Sequence, residues 1–210
     1  MAGDRSKKIK DRIKLITGLS DTLITDSLIY AICDNIAQKV AEETICIEKN
    51  ATLTVDGTGE VTEPAGLFRI KIVVMPTSTY TQPVEVDVIT FDELKRINPT
   101  ALDSSAKVYK RWVNTSEVRK ISFYPVSAGN YTILYNAIPT TVITDIVDPE
   151  TPAKYDNLFY YGALAELLPI QGKLDIAGYF RELFVGELLI AKNTNRTGKT
   201  VSNFIKFYDI

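Results

Sequence analysis

Histidine, the commonest general base and metal ligand, is absent from this chain. Ser–His and Cys–His nucleophile pairs are therefore excluded within it. Its two cysteines, Cys33 and Cys46, cannot build the usual zinc sites. Carboxylates and lysines remain. Glu85 and Asp87 share one face of an alternating segment, and Asp92-Glu93 follow. Paired carboxylates can do acid–base work or hold a divalent cation, but on such a strand they more simply form its wet face. Asp145, Asp148 and Glu150 crowd one loop with Pro149 and Pro152. That loop reads as solvated surface, with weak ion binding as the alternative. Gly198-Lys199-Thr200 has the ending of a phosphate-binding loop, but Asn193 stands where that pattern needs its first glycine. Lys107, Lys110, Arg111 and Trp112 come closest to a basic, aromatic nucleic-acid face. The expectation is a protein that is not an enzyme, with no catalytic, cofactor-binding or metal residues. A carboxylate-based enzyme is the less favoured alternative.

The elements that would position these groups follow from periodicity. Residues 1–20 read as a mobile or short helical arm marked by Ile9, Ile13, Leu15 and Ile16. With Asp26 as N-cap, Ile29, Cys33, Ile36, Ala37 and Val40 predict a core-facing helix from Ser27 to Glu43. Period two then takes over: Leu53 and Val55; Phe68, Ile70, Ile72 and Val74; Val84, Val86 and Val88. Asp56-Gly57 signals a turn. A short helix, Phe91 to Arg96, precedes strands near Lys107–Asn114, Arg119–Tyr124 and Tyr131–Ala137. Such alternation predicts an antiparallel sheet with one buried and one wet face. Two helices follow, Asn157 to Leu168 and Leu174 to Lys192, separated by Pro169 to Lys173.

The fold class expected is α+β. A helical bundle of one N-terminal and two C-terminal helices would carry an antiparallel β-rich insertion and extended terminal arms. The corresponding divisions are an arm at 1–20, a helical core at 21–50 and 150–192, a β-rich lobe at 51–149, and a C-terminal docking tail at 193–210.

The last helix carries two apolar stripes. Ala177, Phe180, Phe184, Leu188 and Ala191 form one; Ile176, Tyr179, Leu183 and Ile190 form the other. A helix apolar over more than half its surface needs cover on two sides, from its own core alone or from a core and a neighbouring subunit. Gly162 and Gly186 each cost about 1 kcal/mol relative to alanine in mid-helix, which points to close backbone approach. Phe204-Ile205-Lys206-Phe207-Tyr208-Asp209-Ile210 needs a groove or sheet edge, in this chain or another.

Charge is uneven. Residues 1–14 hold six basic and two acidic side chains, residues 192–210 four and one, and the residues between fourteen and twenty-three. An acidic body argues against a dedicated DNA binder. No run of eighteen apolar residues exists, so no membrane span is expected. Met1 to Lys14 lacks the apolar region of a secretory signal. Two thiols in different kinds of element suggest a chain made in a reducing cytoplasm.

The succession of elements resembles the head-to-tail adaptor, or neck ring, proteins of tailed bacteriophages, of the podovirus-like kind. The residues that carry the resemblance are a short β entry after the first helix, Ala41-Glu42-Glu43-Thr44-Ile45-Cys46, then Val84 to Leu94 in the pattern V-x-V-x-x-I-T-F-D-E-L. The pair Ile121-x-Phe123-x-Pro125 and Tyr131-x-x-x-Tyr135 comes next, then Tyr155-Asp156-x-Leu158 leading into two helices. The resemblance implies a structural virion protein of the neck, made in the host cytoplasm. It would form a closed ring of about twelve copies under the portal, by heterologous contacts. The ring would extend the DNA channel, pass DNA without specific binding, and give tail or nozzle proteins a platform. Carried onto this chain, it makes Phe204, Ile205, Phe207 and Tyr208 docking residues for the portal or a neighbouring subunit, with Lys199 and Lys206 as electrostatic aids. Another neck or tail-completion protein is the runner-up.

Overall fold

A computed structural model describes residues 3–18, 22–57, 59–74, 85–89, 110–114, 120–123 and 129–204. The fold is α+β and divides into two compact units. Glu48–Ala137 form one; the segments before and after them form the other.

The helical unit begins with α1, Asp4–Thr17, which buries Ser6, Ile9, Ile13 and Thr17 on one face. This corrects the expectation of an N-terminal arm. Ile13 is fully buried, and a spacing of three and four residues gives so short a helix one continuous core stripe. Helix α2, Asp26–Thr44, buries Ile29, Cys33, Ile36, Ala37 and Val40 as the periodicity predicts. Its cap is Thr25, whose hydroxyl accepts from the Leu28 N–H at 3.2 Å, in place of the expected Asp26. Asp26 sits inside the first turn, where it pairs with Lys10 and Lys14.

A 3-10 turn, Ala153–Tyr155, leads into α3, Asp156–Leu167. Helix α3 is buried on most sides and packs against α1, α2 and α4, the last of these spanning Leu174–Phe204. Pro169 and Gly172 shape a 3-10 turn, Leu168–Gln171, that separates α3 from α4. Gly162 is where α3 comes closest to its neighbours. A Cβ there would lie 2.8 Å from Ile36 Cδ1 and 3.2 Å from Phe184 Cδ2. Phe159, Ile29, Leu164 and Leu167 lie in the same core, each fully buried, at about 1.5–3 kcal/mol of transfer free energy apiece.

Helix α4 overruns its expected end at Lys192 by twelve residues. The polar run from Asn193 has weak intrinsic helix propensity, so local pattern alone predicts a linker. Tertiary contacts override it: Asn195 Nδ2 donates to the Thr44 carbonyl at 3.0 Å and meets the Tyr155 hydroxyl at 2.7 Å. Residues 138–149 also belong with the helices rather than with the sheet. Ile143 enters the helical core, and its N–H donates to Asp34 Oδ1 at 2.8 Å.

The sheet unit holds β1 (Glu48–Val55), β2 (Glu60–Thr62), β3 (Leu67–Val74), β4 (Glu85–Ile89), β5 (Lys110–Asn114), β6 (Lys120–Phe123) and β7 (Gly129–Ala137). Their spatial order is β1-β7-β3-β4-β5-β6-β2. Pairing is antiparallel except between β4 and β5, which run parallel, so the all-antiparallel expectation is corrected there. Leu53 opposes Tyr131 and Val73 opposes Ile133, which puts the buried hydrophobic side chains of β1, β3 and β7 on one face. Phe123 stacks on Tyr131 at 4.8 Å between ring centres. On β3 the buried residue is Val73, out of phase with the expected Phe68–Val74 stripe, and Phe68 stays 48% exposed. Register shifts between Leu67 and Arg69 and between Ile70 and Ile72 interrupt the alternation. The expected helix at Phe91 to Arg96 lies outside the described residues.

Candidate functional site

The carboxylates singled out at 145–150 are engaged with the protein itself. Asp148 serves as a distant cap for α1, accepting from the Ser6 N–H at 2.8 Å and the Gly3 N–H at 3.2 Å. The Ser6 N–H in particular holds its carboxyl below the usual range. Asp145 accepts from Lys10 Nζ at 2.7 Å and from the Tyr30 hydroxyl at 2.5 Å. Asp145 holds the Lys10 ammonium well above the usual lysine range, and burial, ahead of the same carboxylate, pushes the Tyr30 phenol up to about 12. Glu150 Oε1 accepts from the N–H groups of Thr140 and Thr141, both at 2.9 Å. Gly3 has φ +83°, and a Cβ there would fall onto the Asp145 carbonyl. Arg5 completes the attachment. Its guanidinium donates to Asp156 Oδ1 at 2.7 Å and to the carbonyls of Pro149, Thr151 and Pro152. The acidic loop is therefore the socket of α1, with neither of its sequence readings, solvation or ion binding, needed to explain it. Among the described residues, no group of three or more Cys, Asp or Glu is placed to hold a metal ion.

The other chemical candidates part ways. Cys33 is buried, and burial pushes its thiol up to about 12, which makes it a poor nucleophile. Lys199 lies within α4, so Gly198-Lys199-Thr200 has a helical backbone instead of the loop that cradles a phosphate. Asp87 and Lys110 are opposed across the β4–β5 pair. Asp92, Glu93 and Lys107 lie outside the described residues, as do Ile205, Lys206, Phe207 and Tyr208 of the expected docking tail. Phe204 is the last residue of α4.

What remains unsatisfied is the surface of α4. Its first stripe enters the core: Ala177 and Phe184 are buried, with Phe180, Leu188 and Ala191 packed beside them. Its second stripe does not. Ile176, Tyr179 and Ile190 are 48%, 59% and 66% exposed, and Leu183 is half-buried. A third set, missed in the sequence, is exposed on the other flank: Leu174, Val185 and Leu189. Its signal was present, because positions eleven and four apart fall on one helical face. Among the described residues, nothing lies within 4 Å of where a Cβ would stand at Gly186 or Gly178. Tyr160, Tyr161, Tyr179 and Phe180 form a chain of ring contacts beside the second stripe, with Arg12 stacked 4.1 Å over Tyr160.

Grooves border α4 on both sides. One of about 280 Å³ is lined by Ile36, Lys39, Gly162, Glu166, Arg181 and Val185. The other, about 290 Å³, is lined by Lys154, Tyr155, Leu158, Glu187, Ile190 and Thr194. Arg181 and Glu187 have no hydrogen-bond or ion-pair partner among the described residues. Exposed aromatic and aliphatic side chains and charged groups thus lie beside shallow grooves along α4. No described helix is long and apolar enough to cross a membrane. No protein-family model matches the chain, and no curated protein is significantly similar to it.

Proposed function

We propose that this chain is a structural, non-enzymatic subunit of the neck of a tailed-phage virion. It is a head-to-tail adaptor whose copies form a ring of about twelve under the portal. The observation that carries the reading is α4, apolar and exposed on both flanks of the seam it buries. One patch of that kind would suit a single partner, whereas a ring subunit must meet two neighbours with different faces. The order of a helix, a β-rich segment and two helices supports the reading, although residues 41–44, expected as the β entry, are the end of α2. In this reading the helical unit is the adaptor's bundle and the sheet unit its inserted lobe. The ring lengthens the DNA channel, passes DNA without specific contacts, and gives tail or nozzle proteins their platform. Phe204, Ile205, Phe207 and Tyr208, aided by Lys199 and Lys206, dock on the portal or the next subunit.

The deciding experiment is the mass of the complex formed with the portal ring of the same virus. A stoichiometric ring of about twelve copies is expected. Absence of binding would move the chain to another position in the neck or tail. Deleting Asn203 to Ile210 is expected to leave a folded chain that no longer joins the portal; an unfolded product would assign the tail to the chain's own core.

A further inference from the structure

The rings of α3 and α4 form a platform with charge at each end. Phe180 meets Tyr179 edge-on at 5.6 Å, Tyr160 edge-on at 5.9 Å and Tyr161 stacked at 6.1 Å. Tyr179 is 59% exposed, and the other three are half-buried. At one end Arg12 lies 4.1 Å over the Tyr160 ring and donates to Asn157 Oδ1 at 3.1 Å. That end is an arginine seat with its occupant in place, an aromatic face under the guanidinium and an oxygen at its edge. The other end has the same parts and no cation. Asp175 and Glu182 stand four residues before and three after Tyr179, which makes both its neighbours on the helix surface. At about 100° per residue, both fall on the side of Tyr179 away from Phe180. Helical side chains lean toward the N-terminus, which lays the Tyr179 ring over the turn of Asp175 and brings Glu182 back toward it. Both carboxylates are exposed, and neither has a hydrogen-bond or ion-pair partner among the described residues. Arg181 is about 140° round the helix from Tyr179 and lines the groove of Lys39 and Glu166 instead.

We infer that Tyr179, Asp175 and Glu182 form a seat for an arginine side chain of a partner protein, carried on a segment whose adjoining residues lie along Phe180 and Tyr161. Charge complementarity selects this occupant. A purely apolar segment laid on Tyr179 would desolvate the two carboxylates without pairing them. A nucleic acid would find rings to stack on, but its phosphates would meet carboxylates. Arginine satisfies both demands at once, because its planar guanidinium stacks on a ring face while its edge donates to carboxylate oxygens. Lysine is a compact, strongly hydrated point charge and fits the ring less well. Arg12 on Tyr160 shows within this chain that the platform holds a guanidinium in this way. The inference is independent of the adaptor reading, whose docking residues lie at the C-terminal end, and it stands whichever protein supplies the arginine.

The test titrates the full chain with three capped peptides of one proline-flanked sequence, holding arginine, lysine or citrulline at the centre, and follows the tyrosine ring resonances. The arginine peptide is expected to bind with saturable shifts at Tyr179, the lysine peptide more weakly, and the uncharged citrulline peptide not measurably. Tyr179→Leu keeps apolar bulk and removes the ring. It is expected to weaken arginine binding about two- to fivefold, the factor that ~0.5–1 kcal/mol of an exposed cation–π contact gives. Asp175→Asn combined with Glu182→Gln is expected to weaken binding about tenfold and to flatten its dependence on salt. Glu187→Gln, a carboxylate elsewhere on α4, is expected to leave binding unchanged. All these positions are at least partly exposed, so unchanged thermal unfolding is expected to show that each variant still folds. Arginine and citrulline peptides that bind alike would overturn the inference. So would an arginine peptide that does not bind, or whose binding survives both Tyr179→Leu and the paired carboxylate change. A single-stranded oligonucleotide that shifts the same rings where the arginine peptide does not would assign the platform to bases instead. Failure of the adaptor reading is a separate result, a chain that places no copies on a portal ring.

Discussion

Helices α1 and α4 are both amphipathic and both contribute to the same core, yet they treat their remaining surface in opposite ways. On α1 most of the polar side chains are answered within the chain. Arg5 meets Asp156, Ser6 meets the Thr144 carbonyl, Lys10 meets Asp145, Arg12 meets Asn157 and Lys14 meets Asp26. On α4 Asp175, Arg181, Glu182 and Glu187 have no such partner among the described residues, and the apolar side chains beside them face outward. A surface whose charges and apolar groups are both matched internally belongs to the fold. On α4 the match is partial: Lys192 meets Glu43 and Asn195 meets Thr44, while much of its apolar surface stays exposed. The contrast separates a helix held closely by its own chain from one left partly bare.

The largest expected effect comes from truncating one isoleucine on each helix. Ile13 is fully buried, so Ile13→Ala should cost about 2–5 kcal/mol in a denaturant titration. Ile190 is 66% exposed, and Ile190→Ala should change the stability of the single copy by under about 0.5 kcal/mol. Equal costs would erase the distinction between the two surfaces. Arg5→Ala should cost about 2 kcal/mol, because the half-buried carbonyls of the 149–152 turn and Asp156 lose a charged donor together. If hydrogen exchange in α1 were unchanged in that variant, α1 would be held by its apolar face alone.

Glycine gives a sharper contrast. Gly162→Ala must displace Ile36, and should destabilise by about 1–3 kcal/mol. Gly178→Ala and Gly186→Ala should stabilise the single copy by about 0.5–1 kcal/mol each. Opposite signs in thermal unfolding are expected; a common sign would mean that the local packing is misread. The smallest effect concerns pH. Asp148 is depressed by the Ser6 N–H, so its stabilising contribution is present above the ordinary carboxylate range and is lost as pH falls through its lowered folded value. In Asp148→Asn, which keeps an acceptor oxygen for α1 but removes the titrating charge, the decline of stability on acidification should be shallower than in the parent chain. Unchanged acid sensitivity would shift the cause to Asp26 and Asp145, which Lys14 and Lys10 respectively depress.

Local pattern made α2, the break at Pro169, the start of α4 and the strands of β7 and β1 legible, because those segments bury one face at their own period. What the sequence hid was tertiary. The run from Asn193 looks like a linker until Asn195 reaches Thr44 and Tyr155, and an arm of alternating charge looks free until the 145–156 loop supplies its partners. The Phe68–Val74 stripe misled because register shifts move burial to Val73. On α4 the stripe through Ile176 and Ile190 was readable as a second face. Whether its partner lay inside the chain was not, since periodicity does not report exposure.

The pairing of β1 with β7 carries a consequence for how the molecule is made. Glu48, where the sheet unit begins, is the direct register partner of Asn136, next to its end. At roughly 5–20 residues per second, α2 waits several seconds in the growing chain before α3 exists to cover its apolar stripe. Joining the two halves of the helical unit across an unstructured run of that length would carry the closure entropy of a long loop. Once β1 zips onto β7, that separation shrinks to the width of one strand pair, about 5 Å between Cα atoms. The sheet then works as a clasp, turning a contact between distant parts of the chain into a nearly local one.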